Sequence, residues 1–134
     1  MADMEQWLEA FVRDNGGVAG TIHLRGGETL ELQASVNIPD KVKAVTATIP
    51  RGKGMAGLAW ERDEPVTTCN LKTDDSGDVR PGAKAVAAQA AVAIPIHDGA
   101  GNIRGVVGIA YQEERDMSMS ELKSLSSQAE ALPG

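Results

Sequence analysis

Apolar residues recur at helical spacing close to both ends of the chain. The first stripe falls at positions i, i+3, i+4, i+7 and i+8, which predicts an amphipathic helix; it comprises Met4, Trp7, Leu8, Phe11 and Val12. Farther on, Ser118 and Glu121 form an S-x-x-E capping box, which predicts the start of a last helix. The stripe of that helix comprises Leu122, Leu125, Ala129 and Leu132. Each terminal helix is therefore expected to bury one apolar face.

Alternation of apolar and polar residues predicts two strands after the first helix, over residues 18–25 and 30–36. The dipeptide Gly26-Gly27 predicts the hairpin turn between them, because glycine adopts positive φ without strain. His23 falls on the polar face of the first strand, so we expect a solvated surface residue rather than a ligand. The return strand is expected to present one apolar row: Leu30, Leu32, Ala34 and Val36.

Further β-prone runs lie at 45–49, 65–69, 91–97 and 103–111. The last two are predicted to pair as a hairpin around residues 98–102. Pro95 cannot donate a ladder hydrogen bond, so it is expected at a bulge or an unpaired position. Between these runs, residues 70–82 form a polar loop and the alanine-rich residues 83–90 predict one or two helical turns.

Gly52, Gly54 and Gly57 spell G-x-G-x-x-G between a strand and a short helix, as in dinucleotide-binding folds. Three features argue against that interpretation. Pro50 separates the strand from the glycines, and the helix ends after about two turns at residues 63–65. The strand also lies a third of the way along the chain, whereas the first strand of a mononucleotide fold should open the domain.

The ordered motifs instead resemble a small stand-alone GAF domain. The segment Ile-Pro-Arg-Gly-Lys-Gly-Met-Ala-Gly-Leu-Ala (49–59), followed by Glu-Pro-Val (64–66), is similar to the central signature of that family. Ala-Ile-Pro-Ile (93–96) resembles its apolar-Pro-apolar strand, and residues 103–109 resemble its glycine-containing final strand. The resemblance extends over roughly residues 4–132.

The resemblance implies an α+β, GAF-like (profilin-like) fold. An antiparallel sheet would carry the terminal helices on one face, with a short helix and a long connecting segment over the other. In the family a small ligand binds beneath that second cover. The residues that this implies for ligand binding are Met55, Leu58, Cys69, Asn70, Asp74, Arg80 and Lys84. Arg80 and Lys84 would favour an anionic or zwitterionic metabolite.

Composition narrows the classes of partner. The 134 residues are predicted to form a single domain, 1–134, with no linker. A net charge of −6 argues against binding to nucleic acid or to an anionic membrane. The first residues do not resemble a signal peptide and no apolar run spans a bilayer, so a cytoplasmic location is expected. Aromatic residues make up only 3% of the chain, so a ligand would be held mainly by aliphatic and polar groups.

The sequence does not identify an enzyme, since no hydrolase triad, zinc motif or phosphate loop is present. The aspartates of residues 70–82 lack the glutamate that closes a calcium loop, so we expect no metal and no cofactor. Cys69 is the single cysteine. It is either a small buried hydrophobic residue or a thiol whose pKa Lys72 lowers.

Some GAF proteins reduce free methionine sulfoxide, but those carry several cysteines, one of them in the glycine turn. In this chain the residue that resembles that position is Met55. Neither the cyclic-nucleotide motif nor the bilin-attaching segment of other GAF domains is matched. We therefore expect a sensory, signal-transducing domain that binds a small molecule without catalysis. The alternative is a thiol-based redox protein that uses Cys69. The wide stripe of the first helix further predicts a homodimer through the terminal helices.

Overall fold

The structure is a computed structural model that describes residues 4–38, 40, 43, 44, 47–68, 90–112 and 118–132. Within these ranges the helices are α1 (Met4–Asp14), α2 (Gly54–Arg62) and α3 (Met119–Ala129). The strands are β1 (Ala19–Gly26), β2 (Thr29–Val36), β3 (Thr48–Pro50), β4 (Val66–Thr68), β5 (Ala90–His97) and β6 (Ile103–Tyr111). The predicted terminal helices and both predicted hairpins are confirmed. No helix in the described part of the chain has the length and apolar character needed to cross a membrane.

The six strands form one antiparallel sheet in the order β3-β2-β1-β6-β5-β4. The first and last long strands of the chain lie side by side at its centre, where Ile22 of β1 pairs with Val107 of β6. The turn between β1 and β2 consists of Gly27 and Glu28, one residue later than predicted. Only Gly27 has positive φ, at 73°, as a two-residue type II′ turn requires.

The terminal helices pack on one face of the sheet. Their buried residues are Leu8, Phe11 and Val12 of α1 and Leu125 and Ala129 of α3. They form a core cluster with sheet residues that include Ile22, Val92, Ile94, Ile96, Val107 and Ile109. Helix α1 approaches β1 closely at Gly20, where a Cβ would lie only 2.6 Å from Val12 Cγ2. Asn15 and Gln128 exchange two side-chain hydrogen bonds that join the ends of the two helices.

Helix α2 packs on the opposite face. Its Ala59 and Trp60 share a second core cluster with residues from five strands: Leu30, Ile49, Val66, Ala93 and Val106. The glycine turn before it is confirmed, since Gly52 and Gly54 have positive φ and the Gly52 N–H donates to the Gly57 carbonyl oxygen at 2.9 Å. The predicted α+β fold is therefore confirmed. The connecting segment expected beside α2, over residues 70–90, lies outside the described residues except for Ala90.

The predicted single apolar row on β2 is wrong. Ala34 pairs with Ile22, whereas Leu32 pairs with the next residue, His23, so Gln33 is an extra residue at a bulge. The bulge moves the residues before it to the other face. Ala34 accordingly belongs to the terminal-helix cluster and Leu30 to the α2 cluster.

Pro95 lies in β5 beyond the three residues that pair with β4, Ala91–Ala93. On the other side Pro95 pairs with Val106 of β6, and the register shift of β5 falls later, between Ile96 and His97. Pro95 is therefore neither at the bulge nor unpaired, so that prediction is wrong.

Candidate functional site

A patch of small residues occupies the middle of the sheet face that carries α2. Cross-strand pairs make it continuous, since Thr21 of β1 lies beside Gly108 of β6, and Ala110 of β6 lies between the alanines of the two neighbouring strands. We call this patch the small-residue floor: Ala19, Thr21, Ala91, Gly108 and Ala110. Ala19 is buried and the other four are partly exposed, although β1 and β6 are the central strands of the sheet.

The two halves of this face differ in how they are filled. At one end, the Trp60 side chain packs against large residues such as Leu30 and Ile49 and is only 6% exposed. At the floor, the sheet contributes no side chain larger than threonine. A Cβ at Gly108 would lie 2.8 Å from Thr21 Oγ1, so glycine leaves room there for the threonine hydroxyl. The floor is therefore the part of the face where a ligand could approach the sheet.

Met55 in the first turn of α2 borders the floor. It is partly buried and packs against both the α2 cluster and the cluster of Ala19, Ala91 and Ala110. Leu58, one turn later, is also partly buried and packs against the α2 cluster only. Of the ligand-binding residues predicted from the sequence, the structure thus places Met55 at the floor, whereas Leu58 packs within the α2 cluster. The remaining five lie outside the described residues: Cys69, Asn70, Asp74, Arg80 and Lys84.

His23 is buried, so its prediction as a solvated surface residue is wrong. Its exposed fraction is 3%. It pairs with Val106 of β6 and Leu32 of β2, next to Thr21 on the same face. That face is an interior surface because α2 packs on it, and the polar alternation of β1 does not reveal this. Thr21 thus contributes a hydroxyl to the floor, and His23 contributes an imidazole next to it.

Two arginines contact the Trp60 ring at the filled end of this face. The Arg25 Cζ atom lies 5.4 Å from the ring centroid and the Arg51 Cζ atom 5.6 Å from it. These distances allow cation–π attraction. Arg25 also donates a hydrogen bond to the Gly27 carbonyl oxygen. The two guanidinium groups therefore fix the β1–β2 turn and the glycine turn against α2.

Sequence reasoning missed the floor residues themselves. Their only signal is the small size of the residues on alternate positions of β1, β5 and β6, and that signal cannot be recognised until the pairing of the strands is known. Within the described residues, no group of three or more His, Cys, Asp or Glu side chains is placed to hold a metal ion.

Comparison with known proteins agrees with this architecture. A family model described as GAF domain matches residues 4–132. None of the curated proteins matches the chain. Among solved structures, the chain is similar to the GAF domain of A. aeolicus nlh2 in an inactive state, with a TM-score of 0.68, 21% identity, and coverage of 95% of this chain and 75% of the other.

Two further structures extend the comparison. The GAF domain of a phosphoenolpyruvate-protein phosphotransferase from Coxiella burnetii gives a TM-score of 0.70 at 19% identity, covering 96% of this chain and 82% of the other. The type II free methionine-R-sulfoxide reductase from Thermoplasma acidophilum gives 0.73 at 20% identity, covering 94% and 84%. At these identities the likeness concerns the fold.

Proposed function

Because this chain belongs to the GAF domain family, we propose that it is a sensory or regulatory domain that binds a small molecule and has no catalytic activity of its own. The observation that carries the proposal is the small-residue floor. Four of its five residues stay partly exposed at the centre of a sheet whose other face is closed by the terminal helices. A domain built only for stability would be expected to fill this position with larger apolar side chains.

The chemistry around the floor favours a compact ligand with both apolar and polar parts. Met55 and the alanines offer apolar contact, while Thr21 and His23 offer hydrogen-bonding groups. No aromatic residue belongs to the floor, so a ligand bound there would not depend on ring stacking against it. We infer a small anionic or zwitterionic metabolite and propose Arg80 and Lys84, predicted from the sequence, as the cationic residues that bind it.

A ligand screen tests this function. Amino acids, nucleotides and organic acids would each be added to the protein in a thermal-shift assay, and a true ligand should raise the melting temperature in a saturable way. The response should be weakened in Thr21→Val, which removes the hydroxyl at constant shape. Thr29→Val is the matched control, because Thr29 lies at the exposed hairpin end of β2. A screen without any saturable stabiliser up to millimolar concentration would contradict the proposal.

The second candidate function is a thiol-based redox activity of Cys69, favoured by the likeness to the Thermoplasma acidophilum reductase. The Cys69 thiol would attack the sulfur of a sulfoxide and take its oxygen, which gives a cysteine sulfenic acid and releases the thioether. Because the chain has one cysteine, external thiols would have to restore it. One thiol would form a mixed disulfide with Cys69 and release water, and a second would release the Cys69 thiol and leave with the first as a disulfide. Turnover of free methionine sulfoxide that Cys69→Ser abolishes would support this function. Equal rates in both proteins would exclude it.

We also propose that the domain assembles as a homodimer through its terminal helices. Leu8 and Phe11 are buried against the sheet of their own chain. An interface between two copies would therefore be formed by the solvent-exposed side of α1 and α3. Trp7 and Leu122 are partly exposed, and Met119 at the start of α3 is 70% exposed. A second copy docked about a two-fold axis would cover these apolar groups.

A further inference from the structure

The imidazole of His97 lies between two carboxylates that belong to helices on opposite faces of the sheet. Its Nε2 atom is 2.6 Å from Asp63 Oδ1, and its Nδ1 atom is 3.3 Å from Glu130 Oε1. Asp63 is the C-cap residue of α2, and Glu130 is the C-cap residue of α3. A single side chain at the end of β5 therefore contacts the ends of both helices.

The backbone strengthens the link to α3. The His97 N–H donates a hydrogen bond to the same Glu130 oxygen, at 2.8 Å. His97 lies beyond the residues of β5 that pair with β4. Its N–H therefore bonds to the Glu130 side chain and not to a carbonyl oxygen of β4. The contact of Glu130 with β5 thus has one part that does not depend on the charge of the imidazole. Within the described residues, Asp63 contacts β5 through the imidazole alone.

Both contacts can be hydrogen bonds only when the ring is charged. A neutral imidazole has one N–H donor, whereas the imidazolium has two, and each carboxylate can only accept. The C-terminal ends of α2 and α3 add the negative ends of two helix dipoles, which also favour a cation. In agreement, the hydrogen bond that His97 donates to Asp63 has the largest effect and raises the pKa of His97. Burial lowers this pKa by less, and the contact with Glu130 raises it further.

Further charged residues lie on the described elements next to His97. They are Arg62 and Glu64 beside Asp63, Asp98 in the β5–β6 turn and Arg104 on β6. The Asp98 carboxylate is directed into its own turn, where it accepts hydrogen bonds from the N–H groups of Ala100 and Asn102. Arg104 donates to the Leu132 carbonyl oxygen after α3. Among the described residues, Asp63 and Glu130 are thus the carboxylates in contact with the imidazole.

We propose that His97 is a pH-sensitive clasp that, when protonated, couples the end of α2 to the last turn of the terminal helix α3. Loss of the proton removes one of the two donors, so the ring can hold only one helix end at a time. Because α2 borders the small-residue floor and α3 lies on the opposite face, the clasp connects the two sides of the domain. The coupling does not require a bound ligand. The partly exposed imidazole exchanges its proton directly with solvent.

Titration of His97 followed by NMR tests the first half of the proposal. The chain has two histidines, so the His97 signal is assigned by its loss in His97→Gln. Its midpoint should lie above the value of about 6.5 of an unperturbed imidazole and should fall in both Asp63→Asn and Glu130→Gln. Glu64→Gln is the matched control, since it removes an exposed charge next to Asp63 and should leave the midpoint nearly unchanged. A midpoint at or below the unperturbed value would overturn the clasp.

Amide exchange of the intact protein tests the coupling itself. After correction for intrinsic exchange, the amides at the end of α3 should exchange several-fold faster above the His97 midpoint than below it. In His97→Gln the protection should be the same on both sides of that pH, and Asp63→Asn should reproduce part of the loss although Asp63 belongs to α2. If α3 exchanges identically in the parent protein and in His97→Gln at every pH, the proposal is wrong. Each of these substitutions is at a partly or fully exposed residue, so folding is expected to be retained.

Discussion

Gly57 of α2 lies directly against the Pro50 carbonyl oxygen, and a Cβ built on Gly57 would fall 2.5 Å from that atom. The contact is with backbone, which cannot rotate away as a side chain can. Alanine is favoured over glycine inside a helix by about 1 kcal/mol, but overpacking costs about 1–3 kcal/mol. The steric effect should therefore dominate.

We predict that Gly57→Ala lowers the free energy of unfolding, by up to about 2 kcal/mol, measured by urea denaturation. Gly99→Ala is the control, because nothing lies within 4 Å of a Cβ at that turn position. A Gly57→Ala protein as stable as the parent would show that α2 does not pack as tightly on the β3 turn as described.

The terminal helices give a prediction on assembly. Trp7 stacks on Phe11 with ring centroids 5.0 Å apart, but Trp7 is partly exposed whereas Phe11 is only 4% exposed. Trp7→Glu should give a folded monomer. Phe11→Glu should unfold the protein instead, because it buries a charge in the core. Light scattering with circular dichroism distinguishes these outcomes, and an unmodified protein that stays at 14.0 kDa across micromolar concentrations would contradict the homodimer.

The arginines around Trp60 give a prediction on stability. Replacing Arg25 or Arg51 by methionine keeps much of the aliphatic stem but removes the cation, so each should cost about 0.5–1 kcal/mol of unfolding free energy. Arg13→Met is the control, since its charged partner is the exposed Asp14. Denaturation followed by fluorescence would measure the effect. Equal stability of all three variants would remove any energetic role for the cation–π contacts.

The raised pKa of His97 gives a prediction on pH dependence. A histidine whose pKa is higher in the folded state than in the unfolded state stabilises the fold fully below the unfolded value of about 6.5. The stabilisation is lost as the pH rises through the folded value. The parent protein should therefore exceed His97→Gln in stability most at about pH 5.5 and least at about pH 9. A stability difference between the two proteins that grows with pH would have the wrong sign.

The sequence predicted the fold where local chemistry and tertiary structure agree. The N-cap hydrogen bond of the predicted capping box is observed, since the Glu121 N–H donates to Ser118 Oγ. The glycines before α2 form the turn that their spacing indicates. Prediction from the sequence was wrong where the structure of a residue depends on pairing between distant segments. Gln33 becomes a bulge only against β1, and His23 is buried on the face that α2 packs against.

The candidate site could be predicted only in part for the same reason. The family resemblance implied Met55, which lies next to the glycine turn, and that turn is a local feature of the sequence. The small-residue floor combines residues from β1, β5 and β6, and its members become neighbours through the sheet register alone. Residues 69–89, which carry the other predicted ligand-binding groups, lie outside the described part of the chain.

The most direct test of a ligand site on the small-residue floor is an NMR titration of the protein with the best stabiliser from the ligand screen. We predict that the amide signals of Thr21, Ala91, Gly108 and Ala110 shift together and saturate, while those of Leu125 and Ala129 on the opposite face stay in place. Ala110→Leu, which fills the floor, should abolish the shifts without unfolding the domain. Shifts confined to the terminal helices, or saturable binding that Ala110→Leu leaves unchanged, would show that no ligand binds at the floor.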